Sequence, residues 1–225
     1  MNRFQNKYRT MIKENIDSIK KELRNCKLVA VSKFRSFAEL TELYKTGQRI
    51  FAENRVQELL KKKAELPQDI SWHLIGHLQT NKVKSIVGKV DLVHSVDSLK
   101  LLEEINRQSE INGIKTNILL QIHIAQEETK FGFAPEELRI IIQSHQLSLY
   151  NYVNILGLMT MATNTNSIEQ ITQEFKTLKS LFDEIKPQMP NNEIFNELSM
   201  GMSSDYKIAI EQGSTMVRIG SKIFE

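Results

Sequence analysis

The feature that most constrains the fold is a regular alternation of strand-like and helix-like segments along the chain. Eight short apolar segments are predicted as β-strands: residues 27–32, 49–52, 72–75, 92–95, 117–124, 155–161, 197–200 and 216–219. Seven intervals between them carry helical periodicity: 37–45, 55–64, 82–87, 98–112, 135–143, 167–185 and 205–211. This alternation is typical of parallel βαβ units, and eight strands are the number that closes a (β/α)8 barrel.

The predicted fold class is therefore α/β, a single (β/α)8 barrel of the TIM type that spans residues 1–225 as one domain. An additional N-terminal helix is predicted over about residues 3–24, where apolar side chains recur at helical spacing. An open, doubly wound parallel sheet is the alternative that periodicity leaves open. The four prolines and nine glycines are not clustered, so we expect no linker and no second domain.

Composition argues against several classes of protein. Cys26 is the only cysteine, which excludes an intramolecular disulfide and argues against a thiolate metal cluster. The start of the chain lacks the apolar core of a secretory signal, and no apolar run could span a bilayer, so we expect a cytoplasmic protein with no membrane partner. The 30 basic and 27 acidic residues are spread along the chain, and we therefore expect no nucleic-acid partner.

Lys33 is the first candidate for chemistry. In a parallel barrel, functional side chains gather at the carboxyl ends of the strands, and Lys33 follows the apolar run 28–31 and Ser32. We expect it at the barrel mouth, partly desolvated. Desolvation lowers the pKa of an ammonium group, and a neutral amine can form a Schiff base with an aldehyde. The alternative is a solvated lysine whose stem covers the rim.

The loops after the seventh and eighth strands carry a pattern typical of a phosphate site. Ser203 and Ser204 follow one strand, and Gly220 and Ser221 follow the other. Their hydroxyls and backbone N–H groups could surround a phosphate. The alternatives are that a serine only caps the next helix and that Gly220 only makes a turn. Combined with Lys33 at the same end of the barrel, the pattern favours the phosphate.

Several short motifs follow one another from about residue 28 onward. They are Val31-Ser32-Lys33, segment 51–58, segment 73–82, Lys130-Phe131-Gly132, segment 157–161, and the C-terminal segments 198–205 and 213–221. Each motif is weak alone, but their order is specific. In this series the chain resembles the pyridoxal phosphate homeostasis protein family. The fold of that family resembles the barrel domain of alanine racemase without the C-terminal β domain of that enzyme.

The resemblance implies that the chain binds pyridoxal 5'-phosphate (PLP) and takes part in its intracellular homeostasis as a carrier that releases PLP to acceptors. It implies a Schiff base on Lys33, the guanidinium of Arg218 directed at the pyridine nitrogen, and Asn54 beside the cofactor. The implied phosphate ligands are Ser203, Gly220 and Ser221. PLP-dependent apoenzymes are implied as partners, and both a monomer and a weak homodimer remain open.

The chain departs from the family pattern at three places on the rim. A glycine is common at the position of Ala52, a polar and proline-containing stretch at residues 34–36, and a glycine after Phe224. These departures concern loop conformation and access more than the implied cofactor ligands.

The implied place of Arg218 has a mechanistic consequence. A charged guanidinium donates to the pyridine nitrogen and keeps it unprotonated, whereas strong PLP electron sinks hold that nitrogen protonated beside a carboxylate. Racemases also take a second acid/base group from the C-terminal domain. We therefore expect no robust enzymatic turnover. A weak PLP-dependent racemase or lyase remains an alternative, as does a sugar-phosphate enzyme that uses Lys33 without PLP.

Other polar groups are interpreted as structural. The histidines at 73, 77 and 94, with Asp91 and Asp97, lack the spacing of a metal site, so we expect no metal. His77 is predicted to hydrogen-bond at the rim and His73 within the core.

Glu53 and Glu58 might suggest a glycosidase pair, but a strand end and a helix should carry them apart. Glu53 is instead expected to pair with a nearby base. Cys26 is expected to be a small, inert core residue.

Overall fold

A computed structural model of the chain describes the backbone of residues 3–125 and 131–225, with side chains from Tyr8 onward. Its eight parallel strands form a closed barrel in which each strand pairs with the next and β8 pairs with β1. The strands are β1 (Lys27–Val31), β2 (Ile50–Glu53), β3 (Ser71–Leu74), β4 (Leu92–Val96), β5 (Thr116–Gln121), β6 (Val153–Met159), β7 (Glu197–Met202) and β8 (Met216–Ile219).

Helices surround the barrel. They are α1 (Arg3–Glu22), α2 (Phe37–Lys45), α3 (Val56–Glu65), α4 (Val83–Ile86), α5 (Leu99–Ile111), α6 (Pro135–Gln143), α7 (Ile168–Ile185), α8 (Tyr206–Glu211) and α9 (Ser221–Phe224). Short 3-10 turns lie at Thr80–Lys82, Gln146–Leu149 and Lys186–Gln188. None of the helices in the described ranges is long and apolar enough to cross a bilayer.

The predicted (β/α)8 barrel is confirmed, and the alternative of an open sheet is wrong because β8 pairs with β1 over four residues of each strand. The predicted boundaries lie within three residues of the observed ones. The largest difference is at β5, which ends at Gln121 instead of residue 124 because Ile122 forms an isolated bridge with Phe133 of the following loop. Helix α9 is not predicted from the sequence.

Local signals in the sequence explain where the helices begin. Ser36 caps α2, and Glu39 returns a hydrogen bond to the Ser36 N–H, so the two residues form a capping box. The hydroxyls of Ser98 and Ser167 cap α5 and α7 by accepting from backbone N–H groups of the first turn. Pro135 opens α6, where a missing N–H has no cost.

Two apolar layers hold the barrel. The larger one lies between strands and helices and includes the buried Trp72 and Phe51. A smaller cluster is formed by the alternate strand residues that face the barrel interior: Val29, Ala52, Leu92, Leu119, Met159 and Met216. Cys26 is a buried member of the larger layer, and burial raises its pKa to about 11, as expected for an inert thiol.

Helix α1 packs on the outside of the barrel, in contact with α2 and α9. Its side chains Ile12, Ile16 and Ile19 are fully buried. Asn15 donates from Nδ2 to the carbonyl of Ile223 at 3.2 Å, so α1 holds α9, the short helix that follows β8.

Candidate functional site

Lys33 lies in a tight turn after β1. The Ser32 N–H donates to the Ala52 carbonyl at 2.9 Å, and the Arg35 N–H closes the turn onto the Ser32 carbonyl at 3.1 Å. Phe34 has a φ of +64° in this turn, a conformation that strains a residue other than glycine, and its ring is 84% exposed. The Lys33 side chain is exposed as well. Its expected partial desolvation is therefore wrong, because the turn carries it beyond the end of the strand.

A buried ion pair lies beneath this turn. Lys62 of α3 donates to Glu53 Oε1 and, at 2.8 Å, to the Ser32 carbonyl. Ser32 Oγ donates to the same Glu53 oxygen at 2.7 Å. The predicted pairing of Glu53 with a base is confirmed, and Glu58 is exposed on α3, away from this pair. The ion pair thus fixes the peptide that precedes Lys33.

Asn54 follows β2, partly buried at the same end of the barrel. Gly76, after β3, packs directly on it: a Cβ at Gly76 would lie 2.1 Å from the Asn54 carbonyl oxygen. A side chain at residue 76 would therefore displace the Asn54 backbone. Sequence reasoning missed this role of Gly76. Its signal is a glycine directly after a predicted strand, where close approach of two loops requires one.

The loops after β7 and β8 meet. The Gly220 N–H donates to Ser203 Oγ at 3.2 Å, which leaves the Ser203 hydroxyl proton to be donated elsewhere. A Cβ at Gly220 would lie 3.3 Å from the Cβ of Val31, so this loop packs on the end of β1, two residues before Lys33. Ser221 is exposed at the start of α9. The suggestion that a serine caps α8 is wrong, because Asp205 holds that position.

Arg218 points into the barrel from β8 and is 4% exposed. It donates from Nη1 to Ser199 Oγ and from Nη2 to the Thr160 carbonyl, both at 2.7 Å. Burial lowers its pKa to about 10, against a smaller opposing effect of the Asp205 charge. The guanidinium is therefore still a cation at neutral pH, and its hydrogen bonds go to neutral acceptors.

The histidines have structural partners, as the sequence predicts. His77 is exposed at the rim, bonded to Asp97 at 2.7 Å and stacked on Phe131 with 4.1 Å between ring centroids. His73 is buried, and its Nδ1 lies 2.9 Å from Nε2 of His94. Burial lowers the pKa of His73 to about 3 and that of His94 well below its usual value. Among the side chains of residues 8–125 and 131–225, no three potential ligands converge on a metal position.

The loop after β5 is only partly described. Lys130 and residues 126–129 lie outside the described residues. The neighbouring Phe131 carbonyl accepts from Gln121 Nε2 at 2.7 Å. Gly132 has a φ of +141°, and a Cβ there would lie 2.7 Å from the backbone nitrogen of His123, which explains the glycine of this motif.

The barrel brings the predicted site residues to one end. Lys33, Asn54 and the Ser203–Gly220 contact follow strands β1, β2, β7 and β8, which are neighbours in the closed sheet. Such a site offers an amine that can condense with a carbonyl compound and N–H and O–H donors for an oxyanion. Arg218 adds a buried cation with hydrogen-bond donors only.

The chain is similar to known proteins over most of its length. Residues 9–225 match the family described as the N-terminal domain of alanine racemase. A protein of Aquifex aeolicus named pyridoxal phosphate homeostasis protein is 43% identical over 202 residues, which cover 89% of this chain and 87% of that protein. A human protein of the same name is 38% identical over 210 residues, which cover 88% and 75%.

Solved structures agree. The structure of PipY from Synechococcus elongatus PCC7942 with PLP bound is 37% identical to this chain, with a TM-score of 0.86 and coverage of 95% of this chain and 100% of that one. Alanine racemase from Bartonella henselae is 16% identical with a TM-score of 0.74, and the match covers 94% of this chain and 57% of the racemase, which shows the shared barrel.

Proposed function

Because the chain belongs to the pyridoxal phosphate homeostasis protein family, we propose that it binds PLP at the carboxyl end of its barrel and takes part in the homeostasis of this cofactor in the cytoplasm. Residues 1–225 act in this proposal as one PLP-binding domain. The named relatives and the PLP-bound structure of PipY support the choice of ligand.

One observation carries the proposal. Gly220 packs on Val31 and donates to Ser203, so the loops after β7 and β8 lie against the end of the strand that leads to Lys33. PLP has an aldehyde and a phosphate on one ring, and it needs an amine and oxyanion donors held side by side. The residues present fit that requirement.

Each residue has a proposed task. The Lys33 amine holds the cofactor covalently through its aldehyde, and the exposed turn leaves this amine open to a cofactor that arrives from solvent. Ser203, Gly220 and Ser221 bind the phosphate through hydroxyl and N–H groups, and the Gly220 N–H exchanges its bond to Ser203 Oγ for one to the phosphate. Asn54, held in place by Gly76, lies beside the cofactor, and Arg218 donates to the ring nitrogen from the barrel interior.

The charge of Arg218 supports a carrier over an enzyme. PLP accelerates amino-acid chemistry by withdrawing electrons into its ring, most strongly when the ring nitrogen is protonated. Arg218 stays charged at neutral pH and cannot accept a proton from its partner, so a nitrogen beside it stays unprotonated. We propose that the protein holds PLP and releases it to PLP-dependent apoenzymes without robust turnover of its own.

Replacement of Lys33 by alanine tests the covalent attachment. We expect purified wild-type protein incubated with PLP to show a visible absorption band, and borohydride to leave a label on the peptide that contains Lys33. Lys33→Ala should lose both, because no other proposed ligand is an amine. Lys45→Ala, an exposed lysine at the end of α2, is the matched control and should keep both. A band and label that persist in Lys33→Ala would contradict the assignment.

Assays over a panel of D- and L-amino acids test the absence of robust turnover. We expect no rate above that of free PLP. Turnover that Lys33→Ala abolishes would instead establish the racemase or lyase alternative.

A further inference from the structure

A hydrogen-bond chain crosses the interior of the barrel from β8 to β3. Arg218 Nη1 donates to Ser199 Oγ at 2.7 Å, and the same oxygen lies 3.0 Å from His94 Nδ1. His94 Nε2 lies 2.9 Å from His73 Nδ1, and His73 Nε2 lies 3.3 Å from Ser71 Oγ. Side chains from four strands are thus linked end to end, from the proposed PLP site to the start of β3.

The donors in this chain follow from Arg218. A guanidinium has only N–H donors, so the Ser199 oxygen accepts from it. Ser199 is fully buried, and its own proton needs an acceptor, which His94 Nδ1 provides. The reverse arrangement would put two N–H donors on the Ser199 oxygen and leave its proton without that acceptor.

The two histidines continue the same direction. Both are neutral, because burial lowers the pKa of each, and a neutral imidazole that accepts at one nitrogen donates at the other. His94 therefore donates from Nε2 to His73, and His73 donates from Nε2 to Ser71. Every donor in the chain points away from Arg218.

The surroundings of this hydrogen-bond chain offer few other partners for its hydrogen bonds. Apolar side chains form a cluster in the barrel interior, and Ser199 and His94 have no exposed surface. If Arg218 turned away, its guanidinium would lose two buried acceptors, at Ser199 and Thr160. An unmet buried donor is costly, so these bonds hold the guanidinium in one orientation.

We propose that Ser199 and His94 are positioning residues that fix the guanidinium of Arg218 in the barrel, and that the donor direction of their chain withholds protons from the ring nitrogen of bound PLP. The second part rests on the proposed function. With every other proton of this hydrogen-bond chain directed toward Ser71, Arg218 is the member of the chain that donates to the ring.

Nitrogen NMR of the imidazoles tests the donor direction of the hydrogen-bond chain in protein that contains no PLP. In purified wild-type protein at neutral pH with no PLP added, His94 and His73 should both carry their proton on Nε2, with a bare Nδ1. The variants His94→Asn and His73→Asn assign the two signals. A charged imidazole, or a proton on Nδ1 of either residue, would overturn the donor direction.

Variants of Ser199 test the positioning role. We expect Ser199→Ala to retain PLP on the order of tenfold more weakly, the effect of one lost bond to a buried charge, and to shift the absorption maximum of bound PLP. Ser199→Thr keeps the hydroxyl and should restore both. Ser109→Ala is the matched control, since it removes another buried hydroxyl, bonded to Thr116 outside the barrel mouth.

The outcomes separate this inference from the proposed function. Equal PLP retention and equal spectra in Ser199→Ala and the wild type would overturn the positioning role. Failure of the wild type to bind PLP would overturn the proposed function and the statement about the ring nitrogen, whereas the imidazole signals would still decide the direction of the chain.

Discussion

At the scale of residues, the buried pair of Glu53 and Lys62 is a support of the Lys33 turn that sequence reasoning could only partly foresee. A glutamate at a strand end predicts a basic partner, but its identity depends on which face of α3 lies over the strand. Lys62 is 4% exposed and Glu53 has no exposed surface, so both charges depend on each other and on Ser32.

Removal of one charge of this pair should be costly. We expect Lys62→Met to lower the free energy of unfolding by about 3–5 kcal/mol, because Glu53 would be left buried and unpaired. The double variant Lys62→Met with Glu53→Gln should recover most of that loss. Urea unfolding measures both. The control Lys179→Met breaks an exposed pair with Asp183 and should cost under about 1 kcal/mol. A Lys62→Met loss no larger than the control would contradict the role of the pair.

At the scale of elements, the strands could be predicted because strands covered on both faces read as short apolar runs. The ends of the strands could not be predicted, because hydrogen bonds to the neighbouring strands decide where each strand stops. Ile122 follows β5 as another apolar residue, but it forms an isolated bridge with Phe133 of the following loop. Helix α9 was beyond prediction for a related reason. Its four residues carry no periodicity, and it is held in place by packing against α1.

The contact of α1 with the barrel gives a prediction about this element. Ile16→Ala should lower the free energy of unfolding by about 2–5 kcal/mol, because it leaves a cavity in a fully buried contact. Ile111→Ala removes the same atoms from a side chain that is 66% exposed and should change stability by less than about 1 kcal/mol. Thermal and urea unfolding measure the difference. Equal effects of the two substitutions would show that α1 does not depend on this contact.

At the scale of the whole molecule, the order of strands could be predicted from the sequence, and with it the set of loops at the barrel mouth. The position of Lys33, Ser203 and Gly220 at this end of the barrel could be predicted for that reason, whereas the proposed role of Asn54 is what the family resemblance implies. The hydrogen-bond chain through Ser199 and His94 could not be predicted, because these residues lie on β7 and β4, which are not adjacent strands. The stagger of the two strands decides which of their side chains meet inside the barrel.

The buried histidines make global stability depend on pH. Their pKa values fall from the usual 6.5, to about 3 for His73, so below pH 6.5 the unfolded chain binds protons that the folded one cannot. Stability is therefore present above this pH and is lost as the pH falls. His73 should contribute a loss of about 2 kcal/mol between pH 7 and pH 5, and His94 should add a loss in the same direction.

Unfolding in urea at both pH values checks this dependence. His73→Asn should reduce the loss of unfolding free energy between pH 7 and pH 5 by about 2 kcal/mol. His145→Asn, at an exposed position, should leave that loss unchanged. The same loss in His73→Asn as in the wild type would contradict a neutral His73.

The contact of Gly220 with Val31 has a consequence for biosynthesis. The amine at residue 33 leaves the ribosome early, but the strand that seals the ring beside it is synthesised nearly two hundred residues later. In the proposed function, a nascent or prematurely stopped chain therefore carries the Lys33 amine without the loop after β8 that would bind the phosphate of PLP. Under that proposal, only a fully translated chain with a closed barrel would retain the cofactor.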